Sequence, residues 1–239
     1  MRFMVLVLSM LFGGFPATFA EDPLPEPLVA AFANTVPMDS DMRRDWRFQV
    51  SVYSEDGPLL ALFDGENVGD AQWILLSPSV GDLTRIQQAV WDDTRSGTDD
   101  GESESGLFIG DDAAEIIGGD VELVAETDDT LTYTFAPYLG EDGMDAAIAR
   151  HLVGEITIRR EPPAVEQIRL YAPERFRAQM ILRIDAFEMV MQFSRLDGLA
   201  VPVFSRIASR IEGSAAFQDI SERTEMTFES IEYLGVQPD

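Results

Sequence analysis

From Asp120 to the last residues the sequence is almost all strand, and its runs follow one another too closely for helices to cross between them. "VELVAET" and "LTYTFAP" flank Asp128-Asp129, the signature of a tight hairpin. "VGEITIRR", "VEQIRLYA", "MILRIDAFEMVMQF", "AVPVFSRIASRIEG" and "TEMTFESIEYL" then succeed one another across short turns. That spacing predicts an antiparallel meander and excludes the strand–helix–strand units of a doubly wound sheet. No internal repeat is present.

Within these runs the side-chain period of two assigns faces. In "VPVFSRIASRIEG", Val201, Val203, Ile207 and Ile211 point one way, and Phe204, Arg206, Ala208, Arg210 and Glu212 the other. This is the pattern of a strand with one buried face. "MILRIDAFEMVMQF" behaves differently. Met180, Leu182, Ile184 and Ala186 share one side, but Phe187, Met189, Met191 and Phe193 take the other. A bulge near Phe187 would rotate the two halves into agreement and bend the strand; covering both faces of the second half is the alternative. Either way the sheet is expected to curl.

The first half is mixed. "PLVAAFANT" places Leu28, Val29 and Phe32 at helical spacing. "WRFQVSVYS" and "LLALFD" form a hairpin across "EDGP", and "AQWILLSP" is a further strand stopped by Pro78. "GDLTRIQQAVWDD" is a helix capped by Asp82, with Leu83, Ile86 and Val90 on one face. The stretch Asp92 to Gly106 is acidic and aperiodic, and is expected to be a flexible loop. Shorter helical pieces follow near Ala113–Ile117 and in "MDAAIARH".

The N-terminus has Arg2, the apolar run Phe3 to Phe12, and small residues at Thr18 and Ala20. This predicts a cleavable leader over residues 1–20 and a mature chain from Glu21, hence a periplasmic protein. The apolar run is shorter than the ~20 residues a membrane span needs, so no transmembrane segment is expected in the mature chain. With 46% hydrophobic residues, 21–239 can bury a substantial core as one domain. The net charge is −26, and every one of the 17 basic residues is arginine. Such a surface repels nucleic acid, so no nucleic-acid partner is expected.

Catalytic signals are sparse. There is no cysteine and one histidine, His151, which excludes disulfides, acylated cysteine and the usual transition-metal sets. His151 stands between a helical turn and a strand and reads as a capping or surface residue. No nucleophile elbow, phosphate loop, dinucleotide fingerprint or EF-hand spacing occurs. No catalytic residue, metal or cofactor is assigned, and the expectation is a protein that is not an enzyme. Asp185 and Glu188 lie inside apolar strand sequence and call for cationic partners, with Arg169 or Arg206 better placed than Arg183.

The order of elements resembles the periplasmic lipoprotein-carrier, LolA-like, superfamily. The C-terminal half carries the likeness, in "LVGEITI", "VEQIRLYAPERF", "ILRIDAFEMVMQF" and "RIEGSAAFQDISERTEMTFESIEYL". The carriers' early Arg-Pro-Gly segment corresponds to "RRDWRFQVSV", where Arg43, Arg44, Trp46 and Phe48 match and the Pro-Gly does not. The resemblance implies a mainly β fold with a few helices (α+β): a curved antiparallel sheet forming an incomplete β-barrel with a helical lid over an apolar concavity. It also implies that the protein binds or carries acyl chains of a lipid or lipoprotein, with transient contacts to envelope proteins. Methionine adapts to irregular apolar partners. The residues expected to line the concavity are Trp46, Phe48, Phe187, Met189 and Met191, with Arg175 and Arg177 meeting a headgroup at the rim. The alternative is a non-catalytic cell-envelope interaction or assembly factor. A binder would have a continuous cavity, whereas an interaction protein would have a filled core and an apolar surface patch.

Overall fold

The computed structural model describes residues 23–35, 45–96, 107–109, 113–139, 143–179, 182–196, 199, 201–216 and 218–235. The expected leader, Arg43, Arg44, Met180 and stretch 97–106 of the acidic loop lie outside the described residues.

Eleven strands join in one antiparallel sheet. They are β1 (Trp46–Ser54), β2 (Gly57–Asp64), β3 (Trp73–Ser77), β4 (Ile117–Glu126), β5 (Thr130–Pro137), β6 (Val153–Arg160), β7 (Pro163–Tyr171), β8 (Phe176–Gln179), β9 (Leu182–Ser194), β10 (Val203–Ala215) and β11 (Gln218–Tyr233). Their order is β3-β2-β1-β11-β10-β9-β7-β6-β5-β4, with β8 beside β9, and the sheet does not close. The meander expected from sequence runs from β4 to β11. The earliest strand, β1, pairs with the last, β11, and carries β2 and β3 onto the same sheet.

One face of this sheet is mainly apolar. Register partners share a face, so a row can be followed from strand to strand. Leu59, Val52, Met226, Ile207, Met191, Ile168, Ile156, Tyr133 and Leu123 make one such row across nine strands. One residue along each strand lies the opposite row: Ser51, Thr227, Arg206, Gln192, Gln167, Thr157 and Thr132. We call these the core face and the outer face.

Strand β9 resolves its own sequence puzzle with a bulge. Its register with β10 passes from Ala186 opposite Glu212 to Ile184 opposite Gly213, leaving Asp185 as the extra residue. Leu182 and Ile184 thereby join Phe187, Met189, Met191 and Phe193 in one buried cluster. The other neighbour is interrupted at the same level. β7 pairs with β9 up to Tyr171, and β8 resumes at Phe176 opposite Ile184. Gly213 is required there: a Cβ on it would lie 2.1 Å from the Arg183 carbonyl oxygen. β10 slips too, between Phe204 and Arg206. Phe204 was expected beside Arg206 but sits opposite Phe193 and stacks on it at 4.6 Å. A slip of one residue moves a side chain to the other face.

Three α-helices are described beside the sheet: α1 (Glu26–Ala33), α2 (Arg85–Ser96) and α3 (Gly143–Ala149). α1 buries Leu28, Ala31 and Phe32. Just beyond it the buried Thr35 hydroxyl donates to the Ala31 carbonyl at 2.6 Å and accepts from the Val165 N–H at 3.0 Å, tying the helix to β7. α2 continues to Ser96, so residues 92–96 are helix rather than the expected loop. Its cap is Thr84, not Asp82. The Thr84 hydroxyl accepts from the Gln87 N–H at 3.1 Å, and the Gln87 side-chain oxygen accepts from the Thr84 N–H at 3.0 Å. That reciprocal pair is a capping box. Gln87 also donates to the Asp56 and Pro58 carbonyls, fastening α2 to the β1–β2 turn.

The core face carries two clusters. The first is largely aliphatic and spans β5 to β10 with α1 and α3. The second is built on β1 and β2 with Val90 and Trp91 of α2, and is rich in aromatic rings. Met226 and Phe228 of β11 touch both.

Candidate ligand-binding face

The residues singled out from sequence fall into three places. Phe187, Met189 and Met191 occupy successive rows of the core face and are 5%, 2% and 4% exposed. Their side chains are packed within the aliphatic cluster, among residues such as Leu28, Phe32 and Ile148. Trp46 and Phe48 are equally buried but belong to the aromatic cluster. There Trp46 meets Phe108 edge-on at 5.5 Å and Phe48 stacks on Phe63 at 5.0 Å. Arg177 lies opposite Arg183 on the outer face, and Arg175 is exposed at the entry to β8. The structure thus puts five apolar residues on one face in two cores and sets the two arginines apart from them.

At one margin of the aliphatic core the core face is less well covered. β11 runs to Gln218, but its last partner on β1 is Glu225, opposite Tyr53. Among the described residues, 218–224 pair only with β10, so this stretch overhangs β1. Beyond the exposed Gln218, the side chains this stretch turns to the core face are Ile220, Glu222, Thr224 and, next along, Met226. All four are half-buried, as is Ser209 opposite Thr224, whereas Met189 beyond Ser209 is sealed. Glu222 lies opposite Ile211, which in turn faces Phe187, so a carboxyl shares a row with two buried apolar side chains. Burial pushes the Glu222 carboxyl above the usual carboxylate range. The result is a trough with apolar walls, two hydroxyls and one carboxyl.

Three residues further on, Glu225 shows the opposite case. It points to the outer face, where the Arg206 guanidinium donates to it at 2.7 Å and holds its carboxyl below the usual range. The outer face is laced with such pairs. Arg169 joins Glu155 at 3.0 Å and Glu188 at 2.8 Å and lies over the Tyr171 ring. Glu188 thus finds the cross-strand partner expected of it. Asp185 instead pairs with Arg183 at 2.8 Å, because the bulge turns both outward.

A separate cleft of about 930 Å³ opens between α1 and the β4–β5 and β6–β7 turns. Its walls include Glu26, Asp128, Asp129, Arg159, Arg160 and Glu166. Arg159 is held by Glu166 at 2.6 Å, and Arg160 by Glu126. Mixed charge already paired internally does not suit an apolar ligand. His151 stacks on Phe176 with ring centroids 4.4 Å apart. Among the described residues no group of three or more His, Cys, Asp or Glu side chains is placed to hold a metal ion, and no helix is long and apolar enough to cross a membrane.

Sequence reasoning missed Glu222, Thr224 and Ser209. The signal was present in "DISERTEMTF", where Ile220, Glu222, Thr224, Met226 and Phe228 alternate on one side. A glutamate within that alternation marks a carboxyl on the apolar face. No known protein family, curated protein or solved structure matches this chain.

Proposed function

We propose that this chain is a periplasmic binding or carrier protein of LolA-like type, holding the acyl chain of a lipid or lipoprotein against the core face of its sheet. In this reading the open sheet is the wall of an incomplete barrel, and α1 and α3 form its lid. The observation that carries the reading is the trough at Ile220, Thr224, Ser209 and Met226: the core face is left half-covered there, beside the sealed rows of Phe187, Met189 and Met191. Acyl burial there is driven by apolar area leaving water, at about 25 cal/mol per Å². Phe187, Met189 and Met191 floor the adjoining region, and their adaptable side chains admit a flexible chain when α1 or α3 lifts. Trp46 and Phe48 lie further along β1, in the aromatic core, away from the trough.

The test is titration of the full chain with a fluorescent fatty acid. Saturable binding near one per chain is expected, lost in Met226→Asp while the circular dichroism spectrum is retained. A flat titration with the wild-type chain, together with no lipid in native mass spectra of protein taken from its own compartment, overturns the reading.

One observation favours the alternative of an envelope interaction factor. β3 is an edge strand, and its outward Ile74 and Leu76 are 40% and 45% exposed beside half-buried Leu60 and Leu62. An apolar strip on an unpaired edge is a pairing surface for another chain. Under this reading a fatty acid does not bind, and Ile74→Lys with Leu76→Lys abolishes cross-linking to envelope proteins.

A further inference from the structure

Every arginine on β8 to β11 points away from the core face. Arg177, Arg183, Arg206, Arg210 and Arg223 alternate with the core-face residues of their strands and lie outside. Arg206 is satisfied by Glu225, Arg183 by Asp185 and Arg210 by Glu212. Arg223, next to Glu222 in sequence, faces outward with its side chain 75% exposed. No cation therefore reaches the trough from the sheet beneath it. Among the described residues Glu222 makes no hydrogen bond or ion pair, although it sits in a chain whose sheet carboxylates are widely paired.

Two hydroxyls stand beside it. Thr224 is two residues along β11, about 7 Å away on the same face. Ser209 is directly across from Thr224, at the ~5 Å side-chain spacing of a cross-strand pair. An ammonium group carries three donors and no acceptor, and these three side chains offer acceptors on one patch. A carboxylate headgroup would meet like charge and no donor beyond the two hydroxyls.

We infer that the ligand of the trough is an amine-bearing amphiphile, whose ammonium head is held by Glu222, Thr224 and Ser209 while its alkyl chain lies along Met226 and Ile220 toward the aliphatic core. This rests on the ligand-binding reading above and adds the sign and chemistry of the head. It departs from the anionic head that Arg175 and Arg177 were expected to meet, because those side chains lie apart from the trough. Burial of Glu222 among apolar side chains makes its carboxylate costly, and a bound cation relieves that cost.

The experiment compares dodecylamine, dodecanol and dodecanoate by calorimetric titration of the full chain. Salt at about 0.15 M screens the overall negative charge. Dodecylamine is expected to bind at least about tenfold tighter than dodecanoate, the difference expected of one charge-assisted contact. Glu222→Gln should erase that preference while leaving the thermal midpoint no lower than in the parent. Thr224→Val should weaken dodecylamine by about threefold or more, the scale of one neutral hydrogen bond. Three equal affinities, a preference for dodecanoate, or an amine preference that survives Glu222→Gln would each overturn the headgroup assignment while leaving acyl binding standing. If none of the three binds, the ligand-binding reading itself fails, and this inference with it.

Discussion

The two cores on the shared face are built on different principles. In the aromatic core rings touch rings: Phe48 meets Phe63, Trp73 and Phe228, and Trp46 meets Phe108 and Tyr233. Such contacts are directional and fix one arrangement. In the aliphatic core Ile, Leu, Val and Met from β5 to β10 interlock, and the methionines sit in the middle rows. Thioether chains refill space after a disturbance far better than rings do. The difference teaches that one part of the sheet is built to hold its shape and another tolerates repacking, with Met226 and Phe228 at the junction.

Breaking the aromatic core should give the largest effect. Phe48→Ala removes a fully buried ring touching three others and is expected to cost about 3–5 kcal/mol in denaturant unfolding. Met191→Leu, equally buried in the aliphatic core, should cost less than about 1.5 kcal/mol. Similar losses at the two sites would remove the distinction between the cores. Gly213→Ala comes next, because its new Cβ must push β9 away at the bulge. About 1–3 kcal/mol is expected, with hydrogen-exchange protection lost around Ile184 and retained around Phe48.

The smallest effect concerns pH and uses two carboxylates on opposite faces of β11. Glu225, held low by Arg206, stabilises the fold above the ordinary carboxylate range, and that contribution is lost as pH falls through its depressed value. Glu222, raised by burial, works in the opposite sense: its charged form opposes folding at neutral pH, and stability is regained as pH falls through its raised value. Glu225→Gln should therefore destabilise at neutral pH and Glu222→Gln should stabilise, and both differences should vanish in acid. Unfolding midpoints followed from pH ~8 to ~3 decide this, since substitutions of the same sign at neutral pH would show that the two side chains do not face opposite environments.

Local features were the most legible in the sequence. The hairpin of β1 and β2 announced itself through alternation and a turn, and α1 through its spacing, because both are decided within a dozen residues. The bulge in β9 was legible as a conflict of faces, since only an inserted residue reconciles Ile184 with Phe187. Phe204 was misplaced because the bulge at Ser205 leaves no mark in an otherwise clean alternation. The capping box at Thr84 was readable in "TRIQ" but was outweighed by the nearby Asp82. Short β8 was hidden, since four residues after "APER" carry no periodicity of their own. The union of β1 with β11 could not be read at all: nothing in either strand names a partner so far along the chain. The candidate site depends on that union, because the overhang of β11 beyond Glu225 exists only where β1 stops short.

That same union fixes an order of events for the growing chain. Trp46 finds its register partner Tyr233 only when nearly the whole protein is present. Until then β1 lacks its β11 partner and the aromatic core lacks Phe228 and Tyr233, while β4 to β10 pair with their immediate neighbours. Long-range closure of this kind is slow relative to local pairing. A nascent chain therefore carries Trp46 to Phe63 incompletely covered to the end, and a chaperone that shields this hairpin would protect the protein best.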